Sequence, residues 1–383
     1  MNILANIDLA FLLITGVKII GLTFLAIMPM VAYSVYAERR FSAIMQDRVG
    51  PNRVGIPYTK IRLAGLGQPI VDGIKFLLKE DFTPANVNKF YFWLAPVLTL
   101  VPALLTCCVL PFGSELNLSW LGLKEPIKLA IADLDVGPLF IFAISSLGVY
   151  GIVLAGWSSN SKYPFLGGVR SSAQMISYEI CLGLSIIPLL MIFQELNLSK
   201  MAQYQDANGW LLMPLWGDGL SIQRWALLLP LVISFIVFTT SIFAETNRVP
   251  FDLPECETEL VAGYHTEYSS MKFALFFMGE YAAMIIGSGL IVTLFFGGWS
   301  IPFAPLLHLD FVAGQTPWWV SLLQVGAFFA KVIVFILIFI WVRWSVPRFR
   351  FDQLMKLGWL YFFEIAVANI FLTAAILAFT GKH

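Results

Sequence analysis

Charged residues are scarce in this chain: Asp, Glu, Lys and Arg make up 13% of its 383 residues, whereas soluble globular domains carry about 25%. Hydrophobic residues account for 58% of the sequence. This imbalance excludes an ordinary soluble core and indicates an all-α protein that crosses a membrane several times. Acidic and basic residues are equal in number, with 24 of each, so the composition gives no indication of nucleic-acid binding.

Sequence motifs for metal, haem and nucleotide binding are also missing. The chain has four cysteines and three histidines, which are Cys107, Cys108, Cys181, Cys256, His265, His308 and His383. No two cysteines have the Cys-x-x-Cys spacing of zinc or iron–sulfur sites, and the histidines are scattered. The lack of a glycine-rich phosphate loop argues against a nucleotide-driven pump. We therefore assign no metal or flavin to this chain.

Long apolar runs dominate what is present. A membrane-crossing helix needs about 20 predominantly apolar residues. Eight stretches qualify, at about 10–36, 90–112, 137–157, 173–194, 224–244, 273–297, 320–343 and 358–380. The first is too long for a cleavable signal and lacks preceding basic residues, so we expect it to remain as an anchor. The whole chain, 1–383, is interpreted as a single polytopic membrane domain with both termini on one side.

Lysine and arginine are distributed unevenly between the two sets of loops. The loops after spans 1, 3, 5 and 7 carry 17 of them, whereas the opposite side carries five. Because basic loops tend to stay in the cytoplasm, the odd-numbered loops are predicted to face the cytoplasm or its topological equivalent. Lys18 and Lys331 fall inside spans, where partial snorkelling or pairing with a glutamate explains them.

The first odd-numbered loop contains a predicted amphipathic helix at about 68–80. Apolar residues of the segment 70–78 share one helical face, and Asp72, Lys75 and Lys79 lie on the other. Such a helix lies at a membrane surface. It either rests on lipid headgroups or roofs a cavity, and both interpretations stay open.

The acidic loop, at about 245–272, is the most informative segment. Its first 23 residues contain six carboxylates and one arginine, Arg248. The carboxylates are Glu245, Asp252, Glu255, Glu257, Glu259 and Glu267. The positive end of a short helix would stabilise Glu255 and Glu257, but it does not explain the acids that recur toward Glu280. Acids gathered at one mouth of membrane helices are typical of proton or cation handling.

A further carboxylate is predicted inside the fourth span. Ser159-Asn160-Ser161 indicates a tight turn, and the run from Arg170 indicates a helix that enters the membrane. Glu179 would then lie more than two turns inside that helix. Because burying a carboxylate in a membrane is unfavourable, Glu179 is a candidate functional residue.

These segments together resemble one family, the membrane subunit of respiratory complex I, the proton-pumping NADH–quinone oxidoreductase; this is the H subunit of the bacterial enzyme and subunit 1 of the mitochondrial one. The matching segments are Ala37-Glu38-Arg39-Arg40, Gly50-Pro51-Asn52-Arg53, Gln68-Pro69 with Asp72, Ser159-Asn160-Ser161, Arg170 to Glu179, Ala244 through Asp252 to Tyr268, Phe273 to Tyr281, and Arg343 with Pro347-Arg348. The long loop 195–223, Cys256 and Glu364 depart from the family pattern. The resemblance implies eight spans in a bacterial inner membrane.

The resemblance also implies a role in a multisubunit enzyme, with no catalysis by this chain alone. Quinone would be bound as substrate beside peripheral subunits that carry the terminal iron–sulfur cluster, and antiporter-like membrane subunits and lipid would be the other partners. Residues that match the quinone chamber and its entrance are Glu38, Arg39, Asp72, Arg248, Phe277 and Arg343. Residues that match the acidic proton path are Glu179, Glu245, Glu255, Glu257, Glu259, Glu267 and Glu280.

Three other functions remain open from the sequence. A related subunit of a membrane-bound hydrogenase, or of a ferredoxin- or deazaflavin-driven oxidoreductase, would share these segments because the electron donor binds another chain. A stand-alone cation carrier is disfavoured because the sequence shows no internal repeat, which transporter folds often have. A purely structural scaffold is disfavoured because it has no need of so many acids within a membrane.

Overall fold

A computed structural model describes residues 9–55, 62, 64–117, 126–214, 222–254, 257–303 and 316–380. Within these residues, eight helices are long and apolar enough to cross a membrane. In chain order, spans 1 to 8 are Leu13–Met45, Lys89–Val109, Gly137–Ser158, Lys162–Phe193, Trp225–Glu245, Ser270–Phe295, Trp318–Ser345 and Phe351–Thr380. The predicted all-α membrane fold with eight spans is confirmed.

Several spans combine more than one helical segment. Span 1 consists of Leu9–Ile20, a π-helical stretch Gly21–Ile27 and Met28–Met45, and span 8 consists of Phe351–Lys356, a π-helical stretch Leu357–Phe362 and Phe363–Thr380. Span 2 is Lys89–Thr106 followed by the 3₁₀ turn Cys107–Val109, span 3 is Gly137–Ser145 and Leu147–Ser158, and span 5 begins at Ile222. Such π-helical stretches insert an extra residue into the backbone ladder and locally alter helix packing.

Shorter elements connect the spans. The predicted amphipathic helix is present as Gln68–Leu78. Asn197 is the N-cap of helix Leu198–Asn208. Its side chain accepts hydrogen bonds from backbone N–H groups in the first turn of that helix. The acidic loop contains the one-turn helix Glu257–Leu260 and the 3₁₀ turn Gly263–His265, and two short strands, Glu115–Leu116 and Ile127–Lys128, pair antiparallel.

The chain divides into two compact units, Met1–Lys75 and Phe76–His383. In the second unit, span 2 packs against spans 3 and 6, and span 4 packs against spans 3, 5 and 8. Span 6 also contacts span 7. The single membrane domain expected from the sequence stays a prediction.

Connecting segments of the second unit meet at one end of its bundle. The Asn88 N–H donates to the Ser158 carbonyl at 3.1 Å, and the Phe349 N–H donates to the Pro250 carbonyl at 3.2 Å. These bonds join the segment before span 2 to the turn after span 3, and the loop after span 5 to the connection after span 7. We call this end, formed by residues 79–88, 159–161, 246–254, 257–269 and 346–350, the loop end.

Span 4 begins at Lys162, about ten residues before the predicted apolar stretch. The turn that ends span 3 is followed directly by helix, so the first turns of span 4, which begin at Lys162, extend the bundle into the loop end. Gly167 lies in these turns, and a Cβ atom at this position would come within 2.8 Å of the Tyr264 backbone nitrogen. Glycine therefore permits the close approach of span 4 to the acidic loop.

Candidate functional site

A cavity of about 100 Å³ lies among spans 2 to 6 of the second unit. Its walls are mostly apolar, but several polar side chains border it. They are Thr99, Thr106, Ser145, Glu245, Thr246, Asn247, Tyr264 and Glu280. A cavity of this volume has room for several water molecules beside these polar side chains. We call it the inner cavity.

Glu245 contributes one carboxylate to the inner cavity. It is the last residue of the helix Ile222–Glu245, so the chain turns into the acidic loop beside the cavity. The Ser145 hydroxyl on span 3 hydrogen-bonds to this carboxylate, and the charge of Glu179 on span 4 acts on it. The structure therefore brings two residues of the predicted proton path close together.

Glu280 contributes the other carboxylate and pairs with Arg248. The Arg248 Nε atom lies 2.5 Å from Glu280 Oε1, and the two side chains are 4% and 13% exposed. The guanidinium carbon also lies 4.1 Å from the centre of the Tyr281 ring, within the range of a cation–π interaction. The contact fastens the acidic loop to span 6.

A second cavity, of about 360 Å³, lies at the loop end. Its lining consists of Asp252, Ala262, His265, Thr266, Tyr268, Phe273, Phe277, Arg343 and Arg348. Arg348 pairs with Asp252 at 3.2 Å. An aromatic cavity with a few charged groups and a volume above about 300 Å³ has the character of a small-molecule site. Phe277 and Arg343, both predicted chamber residues, thus share one cavity, which we call the loop-end cavity.

Span 6 links the two cavities. Phe277 borders the loop-end cavity, and Glu280, three residues later, borders the inner cavity. Residues three apart on a helix lie on neighbouring positions of one face. The His265 ring centre lies 6.2 Å from that of Phe277, and the charge of Glu280 acts on His265. A charge that enters the loop-end cavity therefore lies about one helical turn from a carboxylate of the inner cavity.

Burial changes the titration of two groups in the lining of the loop-end cavity. Desolvation lowers the pKa of His265 from 6.5 to about 4, although the charge of Glu280 acts in the opposite direction. Desolvation raises the pKa of the Tyr268 hydroxyl, against the effect of its hydrogen bond with Ser158. At neutral pH both side chains are uncharged, so the arginines and Asp252 set the charge of this lining.

Gln174 of span 4 holds the loop that carries Arg248. This fully buried side chain donates to the carbonyl oxygens of Ala244 and Phe251, each at 2.8 Å, and to the Asn247 side-chain oxygen at 3.2 Å. Asn247 has a positive φ of 50°, which asparagine tolerates better than most residues. The side chain from span 4 thus fixes a tight turn between the inner cavity and the loop end.

The first unit contains the remaining predicted chamber residues. Asp72 accepts hydrogen bonds from Arg39 at 2.7 Å and from Gln68 at 2.9 Å, and Glu38 is buried. Arg39 also borders an open cavity of about 870 Å³ whose arginines are Arg39, Arg48, Arg53 and Arg62. The Arg39–Asp72 pair fastens the amphipathic helix to span 1 within this unit.

Glu179, Glu259 and Glu267 are not among the residues that line the inner cavity. Glu259 pairs with Arg170 at 2.5 Å, with nearly half of its side chain exposed. Glu267 is half-buried. Glu257 lies in a described helix, but its side chain, like the whole of Glu255, lies outside the described residues. Among the residues that the structure does describe, no group of three His, Cys, Asp or Glu side chains could hold a metal ion.

Sequence reasoning missed several residues of the site. His265 looked isolated in the sequence, Ser145 carried no motif, and Gln174 lay in the matching segment Arg170 to Glu179 without being singled out. The histidine could have been found, because Phe273 and Phe277 follow it closely in the sequence. They lie on the first turns of the next helix, where their rings can face the loop. The serine and the glutamine could not, because their partners lie on other spans.

These features define a class of protein. The chain is a multi-pass α-helical membrane protein that encloses carboxylates in a small inner cavity. It also has an aromatic cavity with two arginines at one end of its bundle.

Comparison with known proteins agrees with this class and gives the family. The family model described as NADH dehydrogenase matches residues 17–374. An H subunit of the NADH-quinone oxidoreductase of Cytophaga hutchinsonii is 44% identical over 90% of this chain and 91% of its own length. The corresponding H subunit of Leptospira biflexa is 46% identical over 92% and 91%, and one from Koribacter versatilis is 43% identical over 96% and 98%. The chain therefore belongs to the NADH dehydrogenase family.

Proposed function

We propose that this chain forms the membrane part of the quinone chamber of a proton-translocating NADH–quinone oxidoreductase and links quinone reduction to proton pumping. Its family makes it a membrane subunit of complex I, with other complex I subunits as partners. The names of its relatives favour NADH and quinone over the hydrogenase and ferredoxin alternatives. In this proposal the chain lies in a bacterial inner membrane with the loop end toward the cytoplasm.

One observation carries the proposal: an aromatic cavity lies one helical turn from a carboxylate that borders a second cavity, which is lined by two carboxylates. The rings of Phe273 and Phe277 suit the flat face of a quinone ring. Arg343 and Arg348 suit the negative charge that the ring gains on reduction. Peripheral subunits carrying the terminal iron–sulfur cluster would complete the chamber and deliver the electrons.

The entrance is assigned to the first unit. Asp72 and Arg39 form an ion pair with side chains 18% and 49% exposed, and the apolar face of the amphipathic helix is exposed along its length. An exposed apolar face beside polar side chains suits a quinone tail that passes between lipid and protein. Asp72→Leu is therefore expected to raise the quinone KM, and an unchanged KM would contradict the entrance assignment.

The proposed coupling is electrostatic. Reduction of a quinone to a quinol takes up two electrons and two protons, and negative charge in a poorly solvated cavity is unfavourable until the protons arrive. Arg248 belongs to the acidic loop, which contributes residues to the lining of the chamber, and its side chain pairs with the carboxylate of Glu280. A change of charge beside Phe277 would shift the protonation of Glu280, Glu245 and Glu179 as a coupled group. Neighbouring antiporter-like subunits would respond to that shift.

The test compares three variants of the assembled complex. Glu245→Gln and Glu280→Gln remove the carboxylates of the inner cavity, whereas Glu195→Gln changes an exposed glutamate that pairs with Lys200 at 3.0 Å. We expect the first two to assemble but to lose at least about tenfold in quinone-coupled turnover or in protons moved per NADH. Glu195→Gln should match the wild type. Normal turnover with normal pumping in both cavity variants would contradict the proposal.

A further inference from the structure

Three side chains at the start of span 6 hold the segment that follows the amphipathic helix. The Ser269 hydroxyl donates to the Glu80 carbonyl at 3.2 Å, and the Ser270 hydroxyl donates to the Phe76 carbonyl at 2.9 Å. Lys272 Nζ donates to the Thr83 hydroxyl oxygen at 2.7 Å. All of these atoms belong to the second unit. The contacts attach residues 76–83 at three points along their length.

Lys272 is the most strongly enclosed member of this group. Its side chain is 4% exposed, and its Nζ atom lies 2.9 Å from Asp81 Oδ1. The same nitrogen lies 4.2 Å from the ring centre of Trp93 and 5.1 Å from that of Phe92. Lysine is almost never fully buried without partners, and here an anion, a hydroxyl and two aromatic faces surround it. Its removal would leave Asp81 and Thr83 without their shared cation.

The held segment contributes to the surroundings of the loop-end cavity. Phe76 ends this segment on the amphipathic-helix side, and its ring centre lies 6.3 Å from that of Phe273. Phe273 borders the loop-end cavity, and its ring centre lies 4.7 Å from that of Phe277. The position of residues 76–83 therefore determines whether the Phe76 ring packs against Phe273, one of the aromatic side chains that line the cavity.

We propose that Lys272 is a positioning residue for quinone access: it fixes residues 76–83 so that Phe76 stays against Phe273 beside the loop-end cavity. The inference rests on the proposed function of that cavity as part of the quinone chamber. Lys272 itself does not touch the quinone. It acts through Asp81, Thr83 and the backbone that connects them to Phe76.

The first measurement follows the segment itself in the purified complex. Lys272→Met keeps an apolar side chain of similar length and removes the charge. Amide hydrogen exchange of Phe76, Leu77 and Leu78, whose N–H groups lie in the last turn of the amphipathic helix, should become roughly tenfold faster or more, because the contacts of Lys272 hold the segment in which this turn ends. Lys79→Met is the matched control, since Lys79 lies in the same segment and is exposed, and its exchange should match the wild type. Unchanged exchange in Lys272→Met would overturn the proposal.

The second measurement separates positioning from general destabilisation. For Lys272→Met, the KM for a decyl-substituted quinone should rise roughly threefold or more, while kcat at saturation stays within about twofold. Lys272→Arg should restore most of the KM, because a guanidinium can pair with Asp81 and stack on Trp93. Faster exchange with an unchanged KM, or a loss of kcat without a change in KM, would overturn the proposal.

Failure of this inference and failure of the proposed function give different results. If Lys272 does not position the segment, exchange of Phe76, Leu77 and Leu78 is normal in Lys272→Met while Glu245→Gln and Glu280→Gln still impair coupling. If the proposed function is wrong, the two glutamine variants turn over and pump normally, whatever the exchange of the segment shows.

Discussion

Arg248 and Lys331 are both enclosed basic side chains of the second unit, but their surroundings differ. Arg248 pairs with Glu280, a carboxylate that borders the inner cavity. Lys331, on span 7, donates to the carbonyl oxygens of Phe296 and Ser300, each at 2.9 Å, and lies 4.6 Å from the centre of the Trp210 ring. None of the three cavities described above is bordered by Lys331.

The difference is between an ion pair that borders a cavity and a cation that borders none of the three cavities. Lys331 donates to carbonyl groups just after span 6, where the helix end carries partial negative charge, and the charge of Asp206 also acts on it, but Lys331 borders neither the inner cavity nor the loop-end cavity. Arg248 instead shares its charge with a group whose protonation can change and which faces a space suitable for water. An enclosed charge therefore points to chemistry only when a titratable partner and a cavity lie beside it.

The largest effect is expected from Arg248→Met. Removal of one partner of a buried ion pair costs about 3–5 kcal/mol, because Glu280 would keep its burial and lose its cation. Quinone turnover of the assembled complex should fall at least about tenfold, and the temperature of thermal inactivation should fall with it. Turnover within twofold of the wild type would show that Arg248 is no more functional than Lys331.

The pH dependence of His265 gives the next effect. Burial lowers its pKa from 6.5 to about 4, so on acidification the unfolded chain takes up this proton before the folded chain does. Above pH 6.5, His265 does not reduce the free energy of unfolding. As the pH falls from 6.5 toward 4, the free energy of unfolding falls progressively, by up to about 3 kcal/mol. Thermal inactivation measured between pH 7.5 and 4.5 should show a steeper decline for the wild type than for His265→Gln. Equal declines would contradict the burial of a neutral imidazole at this position.

Lys331→Met should separate stability from function. Two carbonyl oxygens lose a charged donor, which corresponds to a loss of about 1–3 kcal/mol in stability. The temperature of thermal inactivation should fall, but the quinone KM and the number of protons moved per NADH should not change. A changed proton stoichiometry in this variant would remove the distinction drawn between the two cations.

The smallest effect is expected from Glu195→Gln. Glu195 and Lys200 form an exposed pair, with about half of each side chain accessible. Solvent screens such exposed pairs, so they add little to stability, and thermal inactivation and turnover should both stay close to the wild type. A large loss of either would mean that exposure is a poor guide to the importance of an ion pair in this chain.

The sequence predicted the number of spans better than their bounds. A run of apolar residues reports the passage of the chain through hydrocarbon, and each of the eight predicted runs corresponds to a described helix. The backbone hydrogen bonds of a helix continue beyond the hydrocarbon, so span 4 starts at Lys162 and span 8 starts at Phe351, both before their apolar runs. The helix bounds therefore depend on turns, which hydropathy does not report.

The candidate site could be predicted only in part. The sequence resemblance supplied Arg248, Glu280 and Phe277, because motif residues are visible one at a time. It could not supply the Arg248–Glu280 pair, which joins the acidic loop to span 6, or the inner cavity, which exists only where five spans meet. Lys272 was counted with the basic residues of a loop, and its burial between two aromatic rings results from contacts with a segment nearly 200 residues earlier.

The most direct test measures carboxyl protonation while the quinone is reduced. Infrared difference spectra of the assembled complex, recorded between the oxidised and reduced quinone states, report the C=O stretch of protonated carboxyl groups. The account predicts a carboxyl band in the wild type that is lost or shifted in Glu245→Gln and Glu280→Gln and retained in Glu195→Gln. A wild-type spectrum without a carboxyl band, or an identical band in all four proteins, would contradict the claim that the inner cavity responds to charge in the loop-end cavity.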